Sequence, residues 1–197
     1  GNYGFAFAHV EAVPEVDRVN NRVAIVIKAE PSRRAYVRRI NIQGNTRTRD
    51  EVIRREFRQF ESSWYDAEKI RLSRDRVDRL GYFTELSVTT AEVPGAPDQV
   101  DVNVNVTEKP TGQISLGLGF SSTDKLVLQA GLRQDNVFGS GTSLGLDVNT
   151  AKSFRTIALT QYDPYFTVDG VSQGFDVYHK RYNPTSLGYG YKTESTG

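Results

Sequence analysis

Several residue types are missing from this sequence, and each absence excludes a class of chemistry. It has no cysteine, so it forms no disulfide and holds no metal through thiolates. Its two histidines, His9 and His179, lie too far apart in the sequence to predict a metal site. The net charge of +1 predicts no nucleic-acid partner. No run of 18 apolar residues occurs, so we expect no membrane-spanning helix.

One short match to a catalytic motif is present. Residues 141–145 read GTSLG, which fits the G-x-S-x-G motif of serine hydrolases. That motif needs its serine on a sharp turn between a strand and a helix, whereas an alternating strand is predicted from Leu144 onward. No glycine-rich phosphate loop precedes a helix either. We therefore expect no catalytic residues, no cofactor and no metal.

A partial repeat divides the first half of the chain. Val13-Pro14 precedes an alternating strand at 22–30, and Val93-Pro94 precedes another at 99–108. Each copy is typical of a β-hairpin, and the spacing between them is that of a small domain. We interpret residues 1–32 as the C-terminal hairpin of a preceding domain. The alternative is a chance resemblance between two hairpins.

The second copy has a longer segment before its hairpin, and this segment predicts a strand and two helices. The strand covers 35–43, and Thr48 with Glu51 forms a capping box that predicts a helix beginning there. Ile53, Phe57 and Phe60 would line the buried face of that helix.

The second helix is predicted from Asp66, a favourable N-cap residue, to Gly81, which is placed to end it. The order of elements over 33–110 is then β-α-α-β-β. The fold class predicted for this part is α+β, with two helices covering one face of a three-stranded sheet.

The remaining residues, 111–197, alternate in polarity. Five strands of membrane-spanning length are predicted, at 112–121, 125–135, 141–151, 154–162 and 171–183. In the first strand, Leu116 and Leu118 share an apolar face, while Gly117 and Gly119 lie on the other. The apolar face suits lipid and the polar face suits the water-filled lumen of a membrane barrel. The alternative is a soluble antiparallel sheet with one solvent-exposed face, whose strands show the same alternation of polarity.

Five strands are fewer than the roughly eight that a small closed barrel requires. We therefore expect an open sheet from residues 111–197. The aromatic residues Tyr162, Tyr165 and Phe166 cluster at one strand end, as in the interfacial girdle of a membrane barrel.

The first half resembles a POTRA domain in three segments: RINIQGNTRT, RLGYF and DQVDVNVNVTEKP. The second half contains TGQISLGLGFSS, GLRQDNVFGSGTSLGL and QYDPYFTVDGVSQGF. Together they resemble the outer-membrane β-barrel assembly factors over the whole chain. The resemblance implies the end of one POTRA domain, a complete POTRA domain at 33–110, and the first strands of an antiparallel transmembrane β-barrel, incomplete here.

That resemblance implies a function without enzymatic activity, namely folding and inserting β-barrel proteins into the outer membrane. The barrel part would lie in the outer membrane and the POTRA domains in the periplasm. The implied partners are lipoproteins of the assembly complex, unfolded outer-membrane β-barrel substrates and outer-membrane lipid.

Two sets of site residues follow from the resemblance. Arg54 in IRREF and Glu61 in QFESSW match positions that dock a lipoprotein. The first barrel strand is the edge that pairs with substrate strands, through Ile114, Ser115, Leu116, Gly117, Leu118, Gly119 and Phe120.

The alternative function is a POTRA-containing outer-membrane transporter of the two-partner secretion type. Such transporters typically carry two POTRA domains, fewer than the assembly factors, so counting the upstream domains in the full gene would separate the two.

Overall fold

The computed structural model describes residues 4–17, 22–31, 33–121, 124–183 and 192–197. The chain divides into two compact units. The first comprises Gly1–Asn45 and Ile53–Glu108, and the second comprises Thr46–Val52 and Lys109–Gly197.

The first unit begins with an antiparallel hairpin of β1 (Ala8–Asp17) and β2 (Arg22–Pro31). The elements that follow are β3 (Tyr36–Gln43), α1 (Asp50–Arg54), α2 (Ala67–Arg79), β4 (Phe83–Val93) and β5 (Ala96–Glu108). The strand order is β3-β5-β4, with β3 parallel and β4 antiparallel to β5. The predicted β-α-α-β-β order is therefore confirmed.

The core of this unit is built on the central strand β5. Val100, Val102, Val104 and Val106 alternate along the strand, and all four are buried. Phe57 and Val77 are buried as well. Each valine side chain removed from water contributes on the order of 1.5–3 kcal/mol, so the alternating sequence of β5 accounts for much of the stability of the sheet.

The second helix, α2, agrees with its prediction. Asp66 caps it by accepting the backbone N–H groups of Glu68 at 2.9 Å and Lys69 at 3.3 Å. The chain leaves the helix through Gly81, whose φ of +72° is readily adopted only by glycine.

The prediction for the first helix is wrong in length and in its cap. The helix begins at Asp50 and ends at Arg54, so Thr48 is not its N-cap. Phe57 is buried outside the helix, and Phe60 is 63% exposed. The chain leaves α-helical geometry at Glu56, whose N–H donates to the C=O of Ile53, three residues back, at 3.1 Å. Farther along, the hydroxyl of Ser73 accepts the N–H of Arg58 at 2.8 Å and holds the non-helical segment in place.

The second unit contains a six-stranded antiparallel sheet in chain order. Its strands are β6 (Gly112–Ser121), β7 (Lys125–Gln134), β8 (Ser143–Thr150), β9 (Phe154–Asp163), β10 (Gln173–Tyr182) and β11 (Thr193–Thr196). The five predicted strands are confirmed, with ends that agree to within about two residues, the usual uncertainty of such boundaries. The short strand β11 was not predicted.

The sheet is open, as its strand count predicted. Among the described residues, β6 pairs only with β7, and β11 pairs only with β10. Neither described α-helix has the length and apolar character needed to cross a membrane.

Candidate functional site

The outer edge of β6 carries backbone groups whose direction follows from its pairing with β7. Leu118 lies opposite Leu128. The N–H of Leu128 donates to Thr150 Oγ1 at 3.0 Å, so the polar backbone groups of Leu128 point toward β8. In an antiparallel pair of this kind, both residues direct their N–H and C=O groups away from each other. Leu118 therefore presents its N–H and C=O to the free edge.

The backbone N–H and C=O groups of β6 point toward the free edge at every second residue. Residues at odd positions bond to β7, consistent with the N–H of Asp135 donating to the C=O of Thr111 at 3.3 Å. Residues at even positions face outward, namely Ile114, Leu116, Leu118 and Phe120. No strand covers these groups in the described part of the chain. An edge of this kind is a template for another strand.

The side chains of these even residues form one border of an apolar face. They are 75–81% exposed, whereas Leu146, in the middle of the sheet, is 39% exposed. Strand pairing places Ile114, Leu132, Leu146, Leu159 and Val177 in one row across the sheet. The opposite face is polar, and there Ser115, Gly131 and Asp147 lie in one row.

The glycines of the polar face differ in how much space surrounds them. A Cβ atom added at Gly131 would lie 2.5 Å from Ser115 Oγ and 3.1 Å from Asp147 Oδ1, so neighbouring side chains lie over this glycine. At Gly117 and Gly119 the nearest contacts would be ordinary, at 3.6 Å and 3.8 Å. Packing therefore does not require glycine at those two positions. Glycine within a strand weakens side-chain packing and favours bending.

The structure brings the two predicted docking residues together on the outer edge of β3. Arg54 Nη1 lies 3.2 Å from Glu61 Oε1. Glu61 Oε1 accepts the N–H of Ile40 at 2.8 Å, and Arg54 Nη2 donates to the C=O of Ile40 at 3.1 Å. The pair thus satisfies both backbone groups of Ile40. Each side chain keeps more than two fifths of its surface exposed, at 42% for Arg54 and 44% for Glu61.

A loop next to this pair covers the beginning of the β3 edge, at Val37. The N–H of Val37 donates to the C=O of Ser63 at 3.0 Å, and the N–H of Ser62 donates to the C=O of Val37 at 2.7 Å. The loop is held from inside by Gln59, which is fully buried. Its amide nitrogen donates to Trp64 O at 3.0 Å and its amide oxygen accepts the N–H of Asp66 at 3.0 Å.

This loop exposes aromatic surface that the sequence reasoning missed. Phe60 is 63% exposed and Trp64 is 44% exposed. Helical spacing had placed Phe60 on a buried face, and the loop conformation overturns that prediction. No local sequence pattern indicates this loop, because the burial of Gln59 that holds it is visible only in the structure.

A second ion pair lies on the same sheet. Arg38 Nε donates to Asp101 Oδ1 at 2.8 Å, and Arg38 Nη2 donates to Asp101 Oδ2. These hydrogen bonds, chiefly, lower the pKa of Asp101 below its usual value. Arg38 sits at a bulge in the pairing of β3 with β5, so the pair fixes the irregular register there.

Among the described residues, no group of three or more His, Asp or Glu side chains could hold a metal ion. What the geometry offers is a free strand edge, an apolar face and a partly exposed ion pair.

Comparison with known proteins identifies the family. The family model of the POTRA domain, described as a surface antigen variable number repeat, matches residues 35–109. The outer membrane protein assembly factor BamA of Neisseria meningitidis serogroup B is 42% identical over 201 residues, which cover 100% of this chain and 25% of the relative. The chain belongs to the BamA family.

Solved structures agree with this assignment. The crystal structure of BamA from Haemophilus ducreyi lacking POTRA domains 1–3 matches with a TM-score of 0.79 and 35% identity, over 92% of this chain and 34% of that one. CdiB from Escherichia coli matches with a TM-score of 0.53 and 17% identity, over 98% of this chain and 35% of that one, a likeness that shows the fold alone.

Membership of the BamA family fixes the location of these features. Members are outer-membrane proteins with POTRA domains in the periplasm, and this chain shares that location. The chain spans about a quarter of the length of the curated BamA relatives that it matches.

Proposed function

We propose that this chain is part of a machine that folds and inserts β-barrel proteins into the outer membrane, and that β6 templates the incoming strands. The observation that carries the proposal is the row of outward backbone groups at Ile114, Leu116, Leu118 and Phe120. The 42% identity to an outer membrane protein assembly factor supports it.

The physical reason is the cost of unpaired backbone groups in lipid. Each N–H or C=O group that has no partner in the hydrocarbon region costs several kcal/mol. A substrate strand that adds to the β6 edge satisfies its own groups and those of β6 at once. The apolar side chains of β6 remain on the lipid side during that pairing.

Each of the three segments of the chain has its own proposed role. Residues 1–32 act as the C-terminal hairpin of a preceding POTRA domain, 33–110 as a POTRA domain, and 111–197 as the first strands of the barrel. The POTRA domain gathers partners and substrate in the periplasm, and the barrel strands act in the membrane.

Arg54 and Glu61 are proposed to dock a lipoprotein of the assembly complex. Support comes from the exposed fraction of both side chains, which leaves each able to bond a partner, and from Phe60 beside them. An exposed aromatic side chain next to a charged pair is a composition common at protein interfaces.

Disulfide trapping tests the templating role. A cysteine is placed at Leu118 in the full-length protein, after replacement of any cysteine elsewhere, and a stalled substrate carries single cysteines along its terminal strand. Disulfides are expected at alternate substrate residues, because side chains of one strand alternate between faces.

The matched control is a cysteine at Leu146, which lies on the same apolar face but two strands away from the edge. It should form no substrate disulfide. Equal trapping at Leu118 and Leu146, or none at either position, would refute templating by β6.

A further inference from the structure

The turns at one end of the six-stranded sheet carry exposed apolar side chains. Residues 135–142 join β7 to β8, and residues 164–172 join β9 to β10, at the end of the sheet where β6 begins. Four side chains protrude from these turns, and we call them the turn patch: Phe138 (91% exposed), Phe166 (60%), Val168 (101%) and Val171 (58%).

One described turn at the opposite end, residues 151–153, reads AKS. Asp124 Oδ1 accepts the N–H of Ser153 at 2.7 Å, and Ala151 is buried. This turn, unlike the two that carry the turn patch, exposes no apolar side chain.

The structure holds Phe138 outward in an uncommon conformation. Its φ is +50°, in the left-handed region that residues other than glycine seldom adopt. The turn around it is fixed by hydrogen bonds from Val137 N to Thr142 O at 2.8 Å and from Gly141 N to Asn136 Oδ1 at 2.8 Å. Strain of this kind persists only where the surroundings determine the conformation, and such positions concentrate at functional sites.

A further contact clamps the turn from its other side. The N–H of Arg49 donates to the C=O of Gly139 at 3.0 Å, within the same compact unit. A Cβ atom at Gly139 would lie 1.9 Å from Arg47 O, so only glycine fits there. The protein thus fixes the backbone on both sides of Phe138 while leaving its ring in solvent.

We propose that the turn patch is a lipid anchor that inserts into the periplasmic leaflet of the outer membrane. Strands β6 to β10 have 8–10 residues, close to the length that spans a bilayer when tilted, so their turns lie at headgroup level. On the apolar face, the row nearest this end holds Leu144 and Phe175, which alternate with Gln134 and Gln161. Aromatic side chains are favoured at this depth.

The attraction is apolar rather than electrostatic. The charged residues within the two turns are acidic, Asp135 and Asp169, and neither would be drawn to anionic headgroups. Salt should therefore have little effect on the insertion. The inference rests on the family's membrane location and not on templating by β6.

Fluorescence quenching in vesicles tests the anchor. The full-length protein is reconstituted in phosphatidylethanolamine and phosphatidylglycerol, with one environment-sensitive label on a cysteine at Val168, at Phe138 or, as the control, at Lys152. Lipids with a nitroxide high on the acyl chain should quench the labels at 168 and 138 about threefold more than the label at 152, with no change in high salt.

The Val168→Cys variant is expected to fold normally, because the Val168 side chain is 101% exposed and contributes no packing. Heat-modifiable migration on gels checks that each variant is folded. Equal quenching at 168 and 152 would overturn the anchor. A second result would also overturn the anchor. In that result the labels remain exposed to water in vesicles and become shielded only when the lipoproteins or an unfolded barrel substrate are added, which would make the turn patch a protein-docking surface.

Discussion

Glu61 Oε1 accepts the backbone N–H of Ile40 at 2.8 Å. The carboxylate that is proposed to dock a lipoprotein therefore also seals the outer edge of β3. A charge reversal at Glu61 changes both roles at once, so a loss of binding in that variant alone has two explanations. A substitution that keeps the acceptor and removes the charge separates them.

We predict that Glu61→Gln keeps the edge bond and weakens docking, whereas Glu61→Lys loses both. The glutamine oxygen still accepts the Ile40 N–H, and the lost hydrogen bond in the lysine variant should cost about 1 kcal/mol. Hydrogen exchange at the Ile40 amide and co-purification of the lipoprotein are measured in parallel.

The two readouts decide between the roles. Docking is supported if Glu61→Gln leaves Ile40 protected but reduces co-purification, because the rim charge then matters to the partner itself. If Glu61→Gln binds normally and Glu61→Lys loses binding only together with Ile40 protection, the residue has a purely structural role.

The Arg38–Asp101 pair predicts an acid-dependent contribution to stability. The pKa of folded Asp101 lies below its usual value because Arg38 donates hydrogen bonds to it. Its contribution is therefore complete above the ordinary aspartate pKa of about 3.9 and is lost as the pH falls through the lower folded value.

Asp101→Asn should reduce the free energy of unfolding by about 0.5–1 kcal/mol at pH 7, because the pair is bidentate but partly exposed. The difference in urea midpoint between the variant and the parent should shrink as the pH falls through the folded pKa of Asp101. A difference that does not change with pH would mean that packing, and not the ion pair, is what the substitution disturbs.

The turn residue Asp124 offers a site-resolved test of the hairpin contacts. Hydrogen bonds from the backbone N–H and the hydroxyl of Ser153 lower the pKa of Asp124, the first being the larger effect. Ser153→Ala removes only the hydroxyl, so it should raise the pKa of Asp124 part of the way to the usual value. An NMR titration of the Asp124 carboxyl measures this, and an unchanged pKa would contradict the contact.

Much of the fold could be predicted from the sequence where a pattern is local. Alternation located five strands of the sheet, and Asp66 with Gly81 located α2. The first helix could not be predicted in length, because the segment after it is held by a hydrogen bond from Arg58 to Ser73, which is distant in the sequence. The strand β11 reads TEST and has no alternating apolar residue to reveal it.

The candidate site was predictable only in part, for a geometric reason. Alternation tells which face a side chain of β6 occupies, but it does not tell which edge each N–H group faces. That direction depends on the pairing of Leu118 with Leu128 and on the bond from Leu128 to Thr150. The bond between Glu61 and Ile40 likewise joins residues 21 positions apart, which no local pattern connects.

A proline scan of residues 114 to 120 tests the central claim most directly. Proline removes the backbone donor, whereas alanine at the same position keeps it. The measurements are crosslinking of β6 to a stalled substrate, crosslinking of β6 to β7, and the amount of folded β-barrel protein in the outer membrane.

Proline at Leu116 or Leu118 should abolish substrate crosslinking and block assembly while β6 stays paired with β7, and alanine there should be mild. Proline at Ser115, Gly117 or Gly119 should instead disturb the pairing with β7, so substrate crosslinking alternates along the strand. A flat scan, with proline and alanine equally harmless from 114 to 120, would contradict templating by this edge.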